Sequence, residues 1–166
     1  MSGEYGIGWT SNTNREFYFD LEDYDKIKDY CWFEGKVHGM PVLRTKRHSY
    51  QKMVAMHDVL GFKSCNHINR NELDNRKENL RQANFTENCR NRGLRSDNKS
   101  GVIGVRSVGE KFIADIRVNK KLIVLRRFFN KEDAIKARLK AEKEYFGEFA
   151  PQQHLYEEYG INNKTK

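Results

Sequence analysis

The chain has 166 residues, with 31 Lys and Arg against 23 Asp and Glu and a formal net charge of +8 at pH 7. This length suits one average domain or two small ones, neither with a large core. No stretch approaches the roughly 20 apolar residues of a membrane span, and the first residues lack the charged and apolar regions of a signal peptide. A cytoplasmic location and no membrane partner are therefore expected, and three cysteines without a Cys-x-x-Cys pair predict no disulfide framework.

The charge excess is confined to the middle of the chain. Residues 1–64 and 131–166 are each balanced, whereas residues 65–130 have 15 Lys and Arg against 7 Asp and Glu. A basic cluster is expected of a protein that contacts nucleic-acid phosphates, although a basic surface without such a partner would have the same composition. The middle of the chain is therefore the first place to look for a nucleic-acid site.

The first sixty residues predict a mixed scaffold. Hydrophobic alternation, capping residues and turn residues predict strands over 16–19, 39–47 and 50–56 and helices over 22–31 and 57–60. These elements are short, and none contains a chemical motif. The scaffold is therefore expected to support the segment that follows.

Residues 65–92 are the most informative part of the sequence. They contain Asn66-His67-Ile68-Asn69, Leu73-Asp74-Asn75-Arg76, Asn79-Leu80-Arg81 and Asn88. We predict a strand ending at Cys65, a polar loop, a second strand over about 79–83 and a helix beginning near Phe85. Asn84 and Glu87 have the spacing of a capping box for that helix.

The order histidine, asparagine, asparagine, at spacings of twelve and nine, resembles the core of the HNH nucleases over roughly residues 51–92. The resemblance implies the ββα-metal fold, in which the first strand presents the histidine and the helix presents the last metal ligand. It also implies hydrolysis of phosphodiester bonds in duplex DNA with one divalent cation, Mg²⁺ or Mn²⁺.

The resemblance assigns roles to individual residues. His67 would be the general base, since imidazole titrates near neutral pH, and Asn79 would orient the ring with its side-chain carbonyl. Asn66 and Asn88 would hold the metal ion. Many family members have aspartate at the position of Asn66, so this residue is either a natural variant with weaker metal affinity or an inactivating substitution. Asp74 is expected to fix the loop.

Other residues of this segment have simpler expected roles. Five arginines are candidates for contacts with DNA phosphates: Arg70, Arg76, Arg81, Arg90 and Arg92. His57, on the predicted short helix, is expected to serve in packing or in a phosphate contact. Cys65, Cys89 and a histidine lack the paired spacing of a structural zinc site, so structural zinc is not expected.

A second unit follows a polar, basic stretch over residues 94–100 that is typical of a linker. Three strands over 101–106, 111–118 and 121–128 are predicted, joined by tight turns. A helix over 131–146 would follow. The last residues, 151–166, show no periodicity and are expected to be partly disordered.

This second unit resembles the plant ethylene-response-factor DNA-binding domain, which is also found attached to HNH nucleases of phages and mobile elements. The resemblance covers about Lys99 to Ala150, through Gly104-Val105 before Arg106, Ala114-Asp115-Ile116-Arg117, and Phe128 with Glu132-Asp133-Ala134. It implies a three-stranded antiparallel sheet packed on one helix, whose exposed face enters the major groove.

The two faces of that sheet are assigned by position. Facing DNA would be Arg106, Asp115 and Arg117, and under the helix would lie Phe112, Ala114, Ile116 and Leu125. Strand alternation places Ile113, Leu122 and Val124 on the DNA face as well. They would contact thymine methyl groups, form a protein interface or indicate an error of one residue in the predicted register.

The sequence thus predicts an α+β protein: an HNH nuclease domain over 1–93, a linker over 94–100, a DNA-binding domain over 101–150 and a tail. The predicted function is a DNA endonuclease of the homing or mobile-element type in a bacterial or phage-infected cell. One such site cuts one strand, so a double-strand break would need a homodimer or two binding events. The alternative is a DNA-binding regulator with an inactive nuclease unit, and an RNA-binding module has less support because the usual aromatic stacking motif is missing.

Overall fold

The structure, a computed structural model, describes residues 4–37, 40–46 and 52–161. The chain divides into two compact units, Met1–Asn88 and Cys89–Lys166. Both combine small antiparallel sheets with helices, which confirms the α+β class. No helix within the described ranges is long and apolar enough to cross a membrane.

The first unit begins with an antiparallel hairpin of β1 (Tyr5–Trp9) and β2 (Glu16–Asp20). β2 was predicted, but β1 was not. Gly6 and Gly8 of β1 lie directly against the phenylalanine rings of β2, where a Cβ atom would come closer than van der Waals contact allows. These glycines therefore permit the hairpin to close, although glycine has low intrinsic strand propensity.

The predicted helix over residues 22–31 is shorter than expected. A 3₁₀ turn, Leu21–Asp23, leads into the single-turn helix α1 (Tyr24–Ile27), and the next strand already begins at Trp32. The buried Trp32 indole donates to the Ile27 carbonyl at 3.1 Å. Aromatic residues at this point favour a strand that packs beside the turn rather than a longer helix.

A three-stranded antiparallel sheet follows, ordered β3 (Trp32–Val37), β4 (Met40–Thr45) and β5 (Val54–Ala55). β4 and β5 lie within the strands predicted over 39–47 and 50–56, whose residues 39, 47, 50 and 51 fall outside the described part of the chain. The short helix α2 (Met56–Val59) ends before Gly61, which has a φ of 94° as a helix-ending glycine should.

The core of the first unit is formed by apolar side chains of β2, α1, β3, β4 and α2 and of the segment that follows them. Its buried members include Phe17, Phe19, Ile27, Trp32, Leu43, Met56, Leu60, Leu73 and Leu80. Leu73 lies in the middle of the polar loop predicted for this unit and Leu80 directly follows the loop, so burial anchors the loop at two points.

The unit ends with two strands and a helix. β6 (Cys65–His67) pairs antiparallel with β7 (Leu80–Gln82), and α3 (Phe85–Arg90) follows. The second strand and the helix start lie where they were predicted, whereas β6 begins at Cys65 instead of ending there. The predicted capping box is formed: the Asn84 N–H donates to Glu87 Oε2 at 2.8 Å, and the Glu87 N–H donates to Asn84 Oδ1 at 3.0 Å.

The second unit is a three-stranded antiparallel sheet with one long helix. β9 (Lys111–Val118) lies between β8 (Val105–Val108) and β10 (Lys121–Phe128), and α4 (Lys131–Phe146) packs on one face. The predicted bounds of β9, β10 and α4 are confirmed, while β8 starts later than predicted. Asn119 and Lys120 both have positive φ, as the tight turn between β9 and β10 requires.

Leu122 and Val124 lie on the predicted face of the sheet, and a β-bulge between Val124 and Arg126 then shifts the register of β10 against β9. Leu122 pairs with Arg117 and Val124 pairs with Asp115, and the two aliphatic side chains are 51% and 54% exposed on the face away from α4. Ile113 shares this face but is only 5% exposed, between its strand neighbours Arg106 and Arg127. Phe112, Ala114, Ile116 and Leu125 lie in the clusters under the helix, as expected.

Residues 151–161 are ordered against the second unit. Ile161 is buried in the core, and Gln152 donates to Glu142 Oε1 at 2.6 Å while accepting from the Ile103 N–H at 2.6 Å. The expectation of a partly disordered tail is wrong for these residues. They form one 3₁₀ turn, Gln153–Leu155, and other turns that are held by long-range contacts, so no local periodicity shows in the sequence.

Candidate active site

A polar loop, residues 68–79, connects β6 to β7 and surrounds His67. The middle of the loop is attached to β2. The Tyr18 N–H donates to the Leu73 carbonyl at 2.9 Å, and the Asn75 N–H donates to the Tyr18 carbonyl at 2.8 Å. The loop is therefore held as an extra strand-like segment and does not depend on its own turns alone.

Asp74 fixes the loop from inside, as the sequence predicted. Its carboxylate accepts from Asn69 Nδ2 and from Arg76 Nε and Nη2, each at 2.8 Å. Burial alone would raise the pKa of Asp74, but the hydrogen bonds and charge of Arg76, together with Asn69, leave this pKa below its usual value. The carboxylate is thus held in its ionised form within a bidentate pair.

Asn79 braces the same loop and does not orient the His67 ring as expected. Its Oδ1 accepts from the Asn69 N–H at 2.9 Å, and its Nδ2 donates to the Asp74 carbonyl at 2.7 Å. Both ends of the amide are used by main-chain groups. The role expected of Asn79 at the imidazole is filled by two other residues of the loop.

Those residues are Glu72 and Asn75. His67 is 3% exposed, with Nδ1 3.0 Å from Glu72 Oε2 and Nε2 3.3 Å from Asn75 Oδ1. Asn75 Nδ2 donates to the Glu72 carbonyl at 3.2 Å, which turns its oxygen toward the ring. Both ring nitrogens therefore face oxygen atoms, whereas a neutral imidazole has a single N–H to donate.

His57, at the start of α2, completes a cluster around this ring. The two imidazole rings meet edge to face with centroids 5.6 Å apart. One ligand atom from each of His57, His67 and Glu72 lies within 4.8 Å of the others. Burial lowers the pKa of His57, against the opposing charge of Asp58, and His67 lowers it further, which favours the neutral imidazole.

Asn66 and Asn88, the expected metal ligands, lie together on β6 and α3. Asn66 Nδ2 donates to Asn88 Oδ1 at 2.8 Å, and Asn66 Oδ1 accepts from Arg81 Nε at 3.0 Å. Both amide oxygens are thus hydrogen-bonded, and a guanidinium lies where a cation would bind. This arrangement does not fit Mg²⁺, which is normally bound through one or two carboxylates.

The five arginines near the motif have different surroundings. Arg76 is paired with Asp74 and with Glu78, its Nη1 lying 2.7 Å from Glu78 Oε1, so its charge is already neutralised within the protein. Arg81 contacts Asn66, and Arg90 lies over the Phe146 ring at 4.6 Å. Arg70 and Arg92 are exposed, and Arg70 turns the chain with a φ of 64°.

On the sheet of the second unit, the expected DNA-contacting residues share the exposed face. Arg106 Nε lies 3.2 Å from Asp115 Oδ2, so two of the three form an ion pair. Arg117 is exposed beside Leu122. Arg127, which was not singled out from the sequence, lies on the same face because it pairs with Ile113.

The sequence signal for Glu72 was present but was not used. Glu72 is the first carboxylate after His67, and a tight turn at Arg70 brings it back to the ring. No family model matches the chain, and no curated protein or solved structure shows significant similarity to it. The interpretation of this site therefore depends on its own chemistry.

Proposed function

We propose that the protein is a DNA endonuclease that hydrolyses phosphodiester bonds in duplex DNA, of the HNH homing or mobile-element type. The single observation that carries this proposal is the His67–Glu72 contact within a strand, loop, strand and helix unit. A histidine whose Nδ1 meets a carboxylate is the arrangement of an oriented general base. The basic composition of residues 65–130 supports a polyanionic substrate.

In the proposed reaction, His67 removes a proton from the attacking water. Glu72 accepts the Nδ1–H, which fixes the tautomer and stabilises the charge that the ring acquires. Nε2 is then the basic atom, and it must leave its contact with Asn75 Oδ1 to reach the water. Asn75 thus holds the ring in place until substrate enters.

Arg81, on the strand that pairs with β6, is a source of positive charge for the phosphate. It is held by Asn66 beside the strand that carries His67, where a guanidinium can pair with a phosphate oxygen through two N–H groups. Because the Asn66–Asn88 pair does not fit the Mg²⁺ or Mn²⁺ expected from the sequence, we assign no step to a metal ion there. An added cation would have to displace Arg81.

The sheet of the second unit would supply the choice of site. Its exposed face combines Arg106, Arg117 and Arg127 with the aliphatic Leu122 and Val124, a mixture that suits both phosphate and thymine methyl contacts. Double-stranded DNA is therefore the proposed partner. Cleavage of both strands would require a homodimer on DNA or two binding events. The proposed location is the cytoplasm of a bacterial or phage-infected cell.

Incubation of supercoiled plasmid with the purified chain and Mg²⁺ or Mn²⁺ tests the proposal. We expect nicked plasmid from the natural sequence and at least a roughly 100-fold slower reaction from His67→Ala, the usual scale of a lost general base. His154→Ala changes an exposed histidine of the second unit and serves as the matched control. Nicking that survives His67→Ala would refute the assignment of the base.

A DNA-binding regulator with an inactive nuclease unit is the second candidate. The hydrogen bonds that Asn66 makes with Asn88 and with Arg81 favour this regulator. They occupy the amide oxygens, so the pair would bind a catalytic cation poorly. Specific binding to DNA without nicking under any of the metal conditions would support the regulator over the endonuclease.

A further inference from the structure

The three-donor cluster at His57, His67 and Glu72 differs in kind from the amide pair at Asn66 and Asn88. Two imidazoles and one carboxylate form the donor set that binds borderline divalent ions such as Zn²⁺, whereas hard ions such as Mg²⁺ prefer oxygen atoms alone. The three ligand atoms lie within 4.8 Å of one another, so small side-chain rotations would bring them around one ion. We propose that His57, His67 and Glu72 form a Zn²⁺-binding site.

The surroundings of His67 support a cation at Nδ1. Nε2 faces Asn75 Oδ1 and Nδ1 faces Glu72 Oε2, so the single N–H of a neutral ring can donate to one of these oxygen atoms and leaves a nitrogen lone pair against the other. A metal ion between Nδ1 and the carboxylate removes this repulsion. The Nε2–H then donates to an amide oxygen, the type of supporting contact that metal-bound histidines usually have.

Asn75, which contacts the His67 ring, is itself held by residues outside the cluster. Asn75 is buried, is attached to β2 through its N–H and donates from its amide to the Glu72 carbonyl. The same residue therefore orients His67 and restrains the chain at Glu72. His57 reaches the cluster from α2, so the three ligands come from a helix, a strand and a loop.

Zinc at this site and the base role of His67 exclude each other. This consequence rests on the proposed function. An ion bound by His67 and Glu72 occupies the pair of side chains that would otherwise accept a proton from water. Zn²⁺ should therefore inhibit nicking supported by Mg²⁺ or Mn²⁺. His67 would be a zinc ligand in the metal-bound protein and the general base in the metal-free protein.

Binding is tested first, on the full chain without DNA, in a Cys31→Ser/Cys89→Ser background that removes the two exposed thiols. Zn²⁺ is titrated in a calorimeter, and histidine side-chain ¹⁵N signals are recorded in parallel. We expect one equivalent to bind and to shift the signals of His57 and His67 but not those of His154. His57→Ala and Glu72→Gln should each weaken binding by at least about tenfold, the scale on which even supporting residues act.

Asn88→Ala and His154→Ala are the matched controls, and both should bind Zn²⁺ as the background does. Loss of binding in Asn88→Ala together with intact binding in His57→Ala would overturn the proposed ligands, as would unshifted His57 and His67 signals. These binding measurements do not depend on nuclease activity. The proposed zinc site can therefore be refuted while the proposed function stands, and the proposed function can be refuted while the zinc site stands. Where nicking is observed, stimulation by Zn²⁺ would contradict the exclusion between metal and base.

Discussion

Glu72 Oε2 lies 3.0 Å from Nδ1 of His67, and this contact links the buried end of β6 to the exposed turn of the polar loop. The carboxylate is partly exposed while the ring is buried, so Glu72 lies between the imidazole and solvent. Its removal should leave the fold intact and affect the chemistry of the ring.

Glu72→Gln should lower kcat for plasmid nicking by about 10- to 100-fold, since the ring loses its charged orienting partner. KM for DNA and the thermal unfolding midpoint should change little. Glu78→Gln, a change to an exposed carboxylate of the same loop, is the control. A rise in KM with kcat unchanged would place Glu72 in DNA binding instead.

Asn66→Asp should increase nicking in Mg²⁺. The natural amide pair does not fit Mg²⁺, whereas a carboxylate at this position supplies the negative charge with which a hard cation can displace Arg81. We expect a rate at least about tenfold higher, equivalent to about 1.4 kcal/mol in the activation barrier.

Asn84→Asp makes the same chemical change at the cap of α3 and should have no such effect. A slower reaction in Asn66→Asp would show that the neutral amide and its hydrogen bonds to Arg81 and Asn88 are what the site requires.

Arg117→Ala should weaken binding to DNA by about 1–3 kcal/mol if this side chain contacts bases, and should relax sequence preference at one position. Arg126→Ala is the matched control. Arg126 is an exposed arginine of the neighbouring strand, but it pairs with the buried Ala114 and so points to the other face of the sheet. Equal losses of affinity in a gel-shift titration of the two variants would contradict the assignment of the DNA face.

Asp74→Asn should lower the free energy of unfolding at pH 7 by about 1–3 kcal/mol, because it weakens a buried charge-assisted pair with Arg76. The folded-state pKa of Asp74 lies below its usual value of 3.8, so the ionised carboxylate stabilises the protein above that pH. This stabilisation is lost as the pH falls through the lower folded-state value. Urea unfolding at neutral and acidic pH would measure both effects.

The control for this change is Asp25→Asn, which alters an exposed ion pair with Lys28 in the same unit. We expect no measurable loss of stability there. A difference between Asp74→Asn and the natural sequence that grows on acidification would contradict the sign of the proposed pH dependence.

Local signals sufficed for most of the second unit, but they failed for its last residues and for parts of the first unit. β9, β10 and α4 were predicted at their observed bounds because strand alternation, an Asn-Lys turn and the Asn130 cap all act over a few residues. β1 was missed because Gly6 and Gly8 are explained only by the aromatic rings of β2.

The candidate site shows the same division. The resemblance to the HNH nucleases implied that Asn66 and Asn88 lie together, and the two side chains are in hydrogen-bond contact. The partners of His67 were not predicted, because the chain reverses at Arg70 and returns Glu72 and Asn75 to the ring. Asn79, at the spacing expected for that role, is instead used by the main chain of the loop.

The attachment of the loop to Tyr18 also bears on the order in which the first unit is assembled. Synthesis proceeds from the amino terminus, so β1 and β2 emerge well before Leu73 and Asn75. Because hairpin contacts are local and close quickly, the free edge of β2 is available as a template when the loop arrives. Substitutions in the hairpin should therefore delay the appearance of a formed His67 site during folding, although they lie far from it in sequence.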